Sequence, residues 1–198
     1  MTEPSKPIKS TNTLALLTRS LKDHLEATQR LLESNLDQIM AAGELIRQTL
    51  HSGNKILICG NGGSAADAQH IAAELVGRYE AERRPWPAIA LTTDTSALTA
   101  LSNDYGYEEV FARQVQALAR ENDLLIALST SGRSANVIRA AEKARELGCK
   151  TIALTGADGG PLSSVCDLVL SVPTLRTSRV QELHITIGHL WCEMVDAM

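Results

Sequence analysis

The chain predicts an α/β three-layer sandwich: a five-stranded parallel sheet flanked by helices, with an N-terminal helical pair ahead of it. Three observations point there. Five short runs are apolar throughout, without the alternation of a half-solvated sheet. Longer stretches of helical periodicity separate them. Two turns of small residues follow two of the runs at matching positions.

The elements follow in order. Met1 to Thr11 is polar and holds Pro4 and Pro7, which reads as a loose tail rather than a signal peptide; residues 12–198 then form a single domain. Leu14, Leu17, Leu21 and Leu25 recur at helical spacing, and Leu32, Leu36, Ile39, Met40 and Leu45 do so again, giving two helices with Ser34 and Asn35 ending one and capping the next. The strand runs are Ile56–Cys59, Ala88–Leu91, Leu124–Leu128, Thr151–Leu154 and Leu168–Leu170. Gly148 closes the helix before the fourth of them. Arg179 to Met198 reads as one long helix.

Composition narrows the function. A chain of 198 residues with 44% hydrophobic and 21% charged residues suits one packed domain and is not a disordered chain. Aromatics at 3% leave little for a base-stacking platform, and a net charge of -4 gives no basic footprint for nucleic acid. No apolar run approaches the roughly 20 residues that span a bilayer. Cys59, Cys149, Cys166 and Cys192 are widely spaced, and three of them lie in apolar runs. They read as reduced thiols of a cytoplasmic protein.

Ile56 to Ala68 and Leu125 to Val137 echo one another as strand, small-residue turn and helix start, with Gly63 falling on Gly132 and Ala66 on Ala135. Turns at the carboxyl ends of parallel strands open onto the crevice where α/β sheets bind ligands. Gly60-Asn61-Gly62-Gly63-Ser64 offers backbone N–H groups at a helix N-terminus, and Ser129-Thr130-Ser131-Gly132-Arg133-Ser134 adds hydroxyls; both suit a phosphate. Such residues also serve plain turn and cap chemistry, but two matched loops favour a ligand. Gly60-x-Gly62-x-x-Ala65 fits a dinucleotide fingerprint as well. The acidic residue that fingerprint needs falls at Glu80 to Glu82, before the next strand, and Asp94 comes too late. No Walker lysine is present.

His70 and Glu74, four residues apart, share one helix face. Such a pair binds a divalent metal or works as a base and its partner. Gln181, Glu182, His184 and His189 form a second polar group in the apolar last helix, where a buried polar side chain needs a partner. Taken singly, each histidine is more often structural. His24 and His51 have no companion in sequence and read as surface residues.

The segment Cys59 to Tyr79 resembles the first signature of the bacterial phosphoheptose isomerases, which belong to the sugar isomerase (SIS) fold family. Asn103-Asp104-Tyr-Gly-Tyr, Ser129 to Ser134, Leu154 to Gly160 and Arg179-Val-Gln-Glu-Leu-His184 follow in the family's order. The similarity runs from about Leu14 to the C-terminus. It implies the flavodoxin-like SIS arrangement in a homotetramer with active sites between subunits. By position, Asn61, Gly62, Gly63, Ser64, Glu74, Asn103, Asp104, Ser129, Thr130, Ser131, Ser134 and Gln181 would bind a sugar phosphate. His70, Glu74, Gln181 and His189 would hold one zinc ion per subunit, and Glu74 and His189 would act as base and acid. Arg133 departs from the family's usual Asn, and the turn from Glu80 to Pro87 is one residue longer than in some relatives.

The implied reaction takes sedoheptulose 7-phosphate to D-glycero-D-manno-heptose 7-phosphate through an enediol(ate), opening ADP- or GDP-heptose and lipopolysaccharide biosynthesis. One geometric test is independent of the resemblance. Gln181 and His189 differ by roughly 12 Å along a helix axis and about 80° around it. Either one is not a direct ligand, or the two reach a shared metal from different copies of the chain. A non-enzymatic family relative that binds the replication initiator protein is the alternative, and a sugar-phosphate-sensing regulatory module a third reading. Retention of both Glu74 and His189 speaks for the enzyme.

Overall fold

The computed structural model describes residues 10–197. The elements are α1 (Ser10–Ser34), α2 (Leu36–His51), β1 (Ile56–Gly60), α3 (Gly63–Val76), β2 (Ala88–Ala90), α4 (Thr95–Tyr105), α5 (Val110–Leu118), β3 (Leu124–Ser129), α6 (Ala135–Glu146), β4 (Lys150–Thr155), β5 (Leu168–Ser171) and α7 (Thr177–Asp196). Short 3-10 turns stand at Tyr107–Glu109 and Pro161–Ser164. Of the polar tail expected over Met1 to Thr11, Ser10 and Thr11 already belong to α1, and the rest lies outside the described residues.

The strands form one parallel sheet in the order β2-β1-β3-β4-β5, the three-layer, doubly wound arrangement the sequence predicts. Alternate strand residues feed two cores. Ile56, Ile58, Leu124, Ile126 and Leu128 pack with α2, α3 and α7, whereas Leu57, Cys59, Leu125 and Ala127 pack with α5 and α6. The central strands β1 and β3 are therefore buried on both faces, which is why they read as continuous apolar runs. The edge strands differ: Ile89 of β2 is 38% exposed, and β5 is buried fully only at Leu170.

Strand order reverses between β1 and β3, so the crevice at the switch point opens between their carboxyl ends. Gly60 pairs with Leu128, and Ser129 with Thr155, which sets the two small-residue loops side by side. Gly148 has φ 78 and follows α6 as its C′ residue.

The helical pair departs from the sequence reading in two ways. Asn35 does not cap α2 with its side chain; its amide donates across to the Ser171 carbonyl at 3.2 Å. The apolar stripe of Leu14, Leu17, Leu21, Leu25, Leu32, Leu36 and Met40 is exposed rather than packed within the chain. The four cysteines are free, three of them buried and Cys166 half-buried. Among the described residues no helix is long and apolar enough to cross a membrane.

Candidate active site

Two helices, α3 and α7, bring the reactive side chains together. They run side by side in the same direction: a side chain added at Gly63 would overlap the Gln181 amide, and one at Gly188 would come within 2.7 Å of Ile71. Glycine inside a helix costs about 1 kcal/mol relative to alanine. At Gly188 that cost is offset by the Ile71 side chain, which packs into the space a methyl group would fill. About two turns beyond the Gly63–Gln181 contact, His70 Nε2 lies 2.9 Å from His189 Nε2, and Glu74 Oε1 lies 3.4 Å from the same His70 nitrogen. The histidine rings meet edge to face, and Tyr79 stacks on His189 with centroids 5.3 Å apart. A ring-to-ring hydrogen bond needs one imidazole as donor and the other as a neutral acceptor.

His70, Glu74 and His189 thus converge within one chain. Gln181 does not join them: it faces Gly63 at the first loop, as the eight-residue spacing requires. No group of three His, Cys, Asp or Glu side chains among the described residues is already arranged as a metal cage. The donor set nevertheless fits zinc in kind, with two imidazole nitrogens and a carboxylate oxygen. Ligand atoms around a tetrahedral zinc stand about 3.3 Å apart, and the spacings here are 2.9 and 3.4 Å.

Asp67 belongs to the same stripe of α3, one turn before His70. Its Oδ2 is buried without a partner, and burial pushes its carboxyl up to about 6, with His70 pulling the other way. Burial also raises the Tyr79 hydroxyl, with Glu193 next in effect. The sequence reading passed over both residues, although Asp67 stands at i+4 from Gly63 and i−3 from His70.

The first loop is held by side chains. Asn61 and Asn136 exchange a reciprocal pair of amide hydrogen bonds at 2.8 and 2.9 Å, and the Tyr107 hydroxyl donates to Asn61 Oδ1 at 2.9 Å. Asn61 Oδ1 is therefore filled and one Nδ2–H is used, which leaves the second Nδ2–H and the loop's backbone N–H groups open to a ligand. Gly62 has φ 56 and precedes α3 directly. Ser64, expected at the substrate, is 3% exposed in the first turn of α3.

The second loop is held by backbone. Gly156 N–H donates to the Thr130 carbonyl and Leu162 N–H to the Gly132 carbonyl, both at 3.0 Å. Gly132 has φ 63, and a side chain there would overlap the Gly159 carbonyl. Ser129 and Ser134 hydroxyls meet at 3.1 Å, and Ser131 Oγ accepts from the Arg133 N–H. Thr130 is half-buried and Ser131 exposed.

Asn103 and Asp104 stand exposed in the last turn of α4, the Asn103 amide donating to Asp104. Tyr107, just beyond them, links this segment to the first loop. Asp94, the late candidate of the dinucleotide reading, caps α4 by accepting from Ala97 N–H. His24 has the companion that sequence did not show, Glu182 at 2.7 Å. His184 is fully buried; Nε2 meets the Thr155 carbonyl at 3.2 Å and Nδ1 has no partner.

Comparison with known proteins agrees with this architecture. The SIS domain family model matches residues 21–156. The phosphoheptose isomerase of Aliarcobacter butzleri is 58% identical over 173 residues, 87% of this chain and 92% of its own length. The solved phosphoheptose isomerase of Neisseria gonorrhoeae is 45% identical with a TM-score of 0.90, covering 94% of this chain and 100% of that one. That of Francisella tularensis is 38% identical with a TM-score of 0.91, covering 94% and 99%. With the fold, the paired loops and the α3–α7 residues all in place, the chain belongs to the SIS domain family and, within it, to the phosphoheptose isomerases, which are sugar-phosphate isomerases.

Proposed function

We propose that the chain converts sedoheptulose 7-phosphate into D-glycero-D-manno-heptose 7-phosphate, the step that opens nucleotide-heptose synthesis. The observation that carries this reading is the meeting of a carboxylate and two imidazoles on the α3–α7 seam, beside a pair of anion-binding loops. An aldose–ketose exchange needs little more. A proton leaves C1 of the open-chain ketose, a proton arrives at C2, and an enediol(ate) lies between.

Glu74 is the base that takes the C1 proton, and His189 returns a proton at the C2 side. Tyr79, stacked on His189, fixes the plane of that ring. The second loop, through Thr130, Ser131 and Ser134, holds the phosphate at the far end of the substrate. Binding energy realised there positions the reacting carbons. The first loop offers its N–H groups, and Gln181 its amide, to the sugar hydroxyls; Asn103 and Asp104 complete the substrate shell. His70, Glu74 and His189 would hold a zinc ion, with Gln181 as a fourth donor from another copy of the chain. Zinc bound there supplies Lewis-acid stabilisation of negative charge developing on oxygen.

Residues 12–198 act as a single unit in this reading. The exposed stripe on α1 and α2, from Leu14 to Met40, supports a homotetramer, because contiguous apolar surface of this kind marks an interface. The free cysteines support a cytoplasmic setting. The initiator-binding alternative is disfavoured, since a pure binder has no use for Glu74 and His189 both set against His70.

The test is to incubate purified protein with sedoheptulose 7-phosphate, with and without a strong chelator, and to follow the aldose by NMR. Turnover is expected, with a loss of about 10³-fold or more in Glu74→Gln. Loss with chelator assigns the metal to the reaction and separates it from the base role of Glu74. No turnover after zinc is restored to the intact oligomer overturns the isomerase reading.

A further inference from the structure

The three loops at the carboxyl end of the sheet, residues 60–64, 129–134 and 156–160, carry one cation and one anion between them, Arg133 and Asp158. These two are paired with each other: Arg133 Nη2 lies 2.6 Å from Asp158 Oδ2. The pair spans two loops whose backbones are already pressed together, since a side chain at Gly160 would stand 2.6 Å from the Ser131 carbonyl and 2.7 Å from that of Gly132. The salt bridge is therefore not needed to join them. Both side chains are open to solvent, at 61% and 59%, and an exposed ion pair contributes only about 0–1 kcal/mol. Arg133 is held in place and is easily released.

We propose that Arg133 is an exchangeable counter-ion for the substrate phosphate, paired with Asp158 in the free protein and drawn to the phosphate when the second loop fills. The inference rests on the phosphate-holding role given to Ser129–Ser134 above. The loop otherwise meets a dianion with neutral donors alone: hydroxyls and backbone N–H groups. A guanidinium carried by the loop itself, on a residue whose backbone N–H donates to Ser131 Oγ at 3.2 Å, adds a charge-assisted and bidentate partner. Asp158 competes with the phosphate for that guanidinium, so it weakens binding of the dianion as it keeps the empty loop neutral. The device sets the phosphate affinity of this chain and leaves the chemistry at Glu74 and His189 alone.

The test measures binding of inorganic phosphate by calorimetry and the KM for sedoheptulose 7-phosphate in the intact oligomer. Arg133→Asn is expected to weaken both by about tenfold, the loss of one charge-assisted hydrogen bond. Asp158→Asn is expected to strengthen both by a few-fold, an effect in the opposite direction that damage to the fold does not produce. In the double variant the gain from Asp158→Asn disappears, because its target is gone. Wild-type binding that Arg133→Asn leaves unchanged, or that Asp158→Asn weakens, overturns the exchange and leaves the isomerase reading standing. A wild-type protein that binds no phosphate and turns over no substrate overturns both.

Discussion

The two strand–loop–helix units, β1–α3 and β3–α6, echo one another only weakly in sequence and are unlike in what they do. Both place a small-residue turn at the switch point of the sheet. Helix α3 then presents Asp67, His70 and Glu74 along its stripe toward α7, whereas the buried face of α6 is Asn136, Val137, Ala140, Ala141 and Ala144. The loops also differ in how they are fixed. The first is tied by an amide pair and a tyrosine hydroxyl, the second by glycine backbones in contact. The lesson is that the backbone unit supplies only an anion-binding turn. The partner of its helix decides whether that unit reacts or merely holds.

The sharpest way to break this comparison uses the aligned glycines. Gly132→Ala forces a left-handed φ of 63 on alanine and drives its methyl into the Gly159 carbonyl, which is backbone and cannot step aside. We expect a loss of about 3 kcal/mol or more in unfolding free energy by denaturant titration. Gly63→Ala meets only the end of the Gln181 side chain, at a position already helical. It should change stability by less than about 1 kcal/mol and raise KM as Gln181 is displaced. Equal losses would mean that both loops are held in the same way.

A second test concerns the joint between the units. His184 of α7 reaches the carbonyl of Thr155, the last residue of β4, whose following loop backs the second unit. With Nε2–H as donor, Nδ1 is bare and buried, and a proton there would find no acceptor. Burial holds this imidazole down at about 4, against a small upward pull from the Thr155 carbonyl. In the unfolded chain the ring titrates near 6.5. The unfolded state therefore takes up the proton first as pH falls. Stability is full above about 6.5 and declines toward pH 4, by about 3 kcal/mol at that point. Asp67 works the other way, because a carboxyl raised to about 6 by burial is relieved by acid. The informative quantity is therefore the difference in acid slope between wild type and His184→Gln. An unchanged slope would place the acid sensitivity elsewhere.

Much of this was legible in the sequence, and the limit has a physical form. The five strands stood out because a strand covered on both faces has no polar alternation, and each apolar run falls within or beside its strand. The two loops and the His70–Glu74 pair were visible because their spacing is local. Partnerships across the fold were not. His24 had no companion until α7 brought Glu182 to it, and the polar group on α7 dispersed, with Gln181 at the first loop, Glu182 toward α1, His184 in the core and His189 on His70. The leucine stripe of α1 was legible as a helix face, yet a single chain holds nothing to cover it. Asn136 did leave a signal. Asparagine is disfavoured in a helix interior but ordinary at a helix start, so the signal is its place in the internal echo, opposite Asp67.

That asparagine supports the smallest effects and the most specific ones. Asn136→Ala removes one partner of a buried reciprocal pair and leaves the Asn61 amide short of a donor and an acceptor, a loss of about 1–3 kcal/mol. Tyr107→Phe removes one further donor to Asn61 Oδ1, but Tyr107 is 55% exposed, so water replaces much of that bond. We expect about 0.5–1 kcal/mol in stability. The kinetic readout separates positioning from plain structure. Asn61 shapes the N–H groups of the first loop, so Tyr107→Phe should raise KM for the sugar phosphate with little change in inorganic phosphate binding, which belongs to the second loop. If both affinities fall together, the loops are one cradle and the division between a reacting unit and a holding unit fails. If only KM moves, each loop grips its own end of the substrate, and Tyr107 is a positioning residue for the sugar end alone.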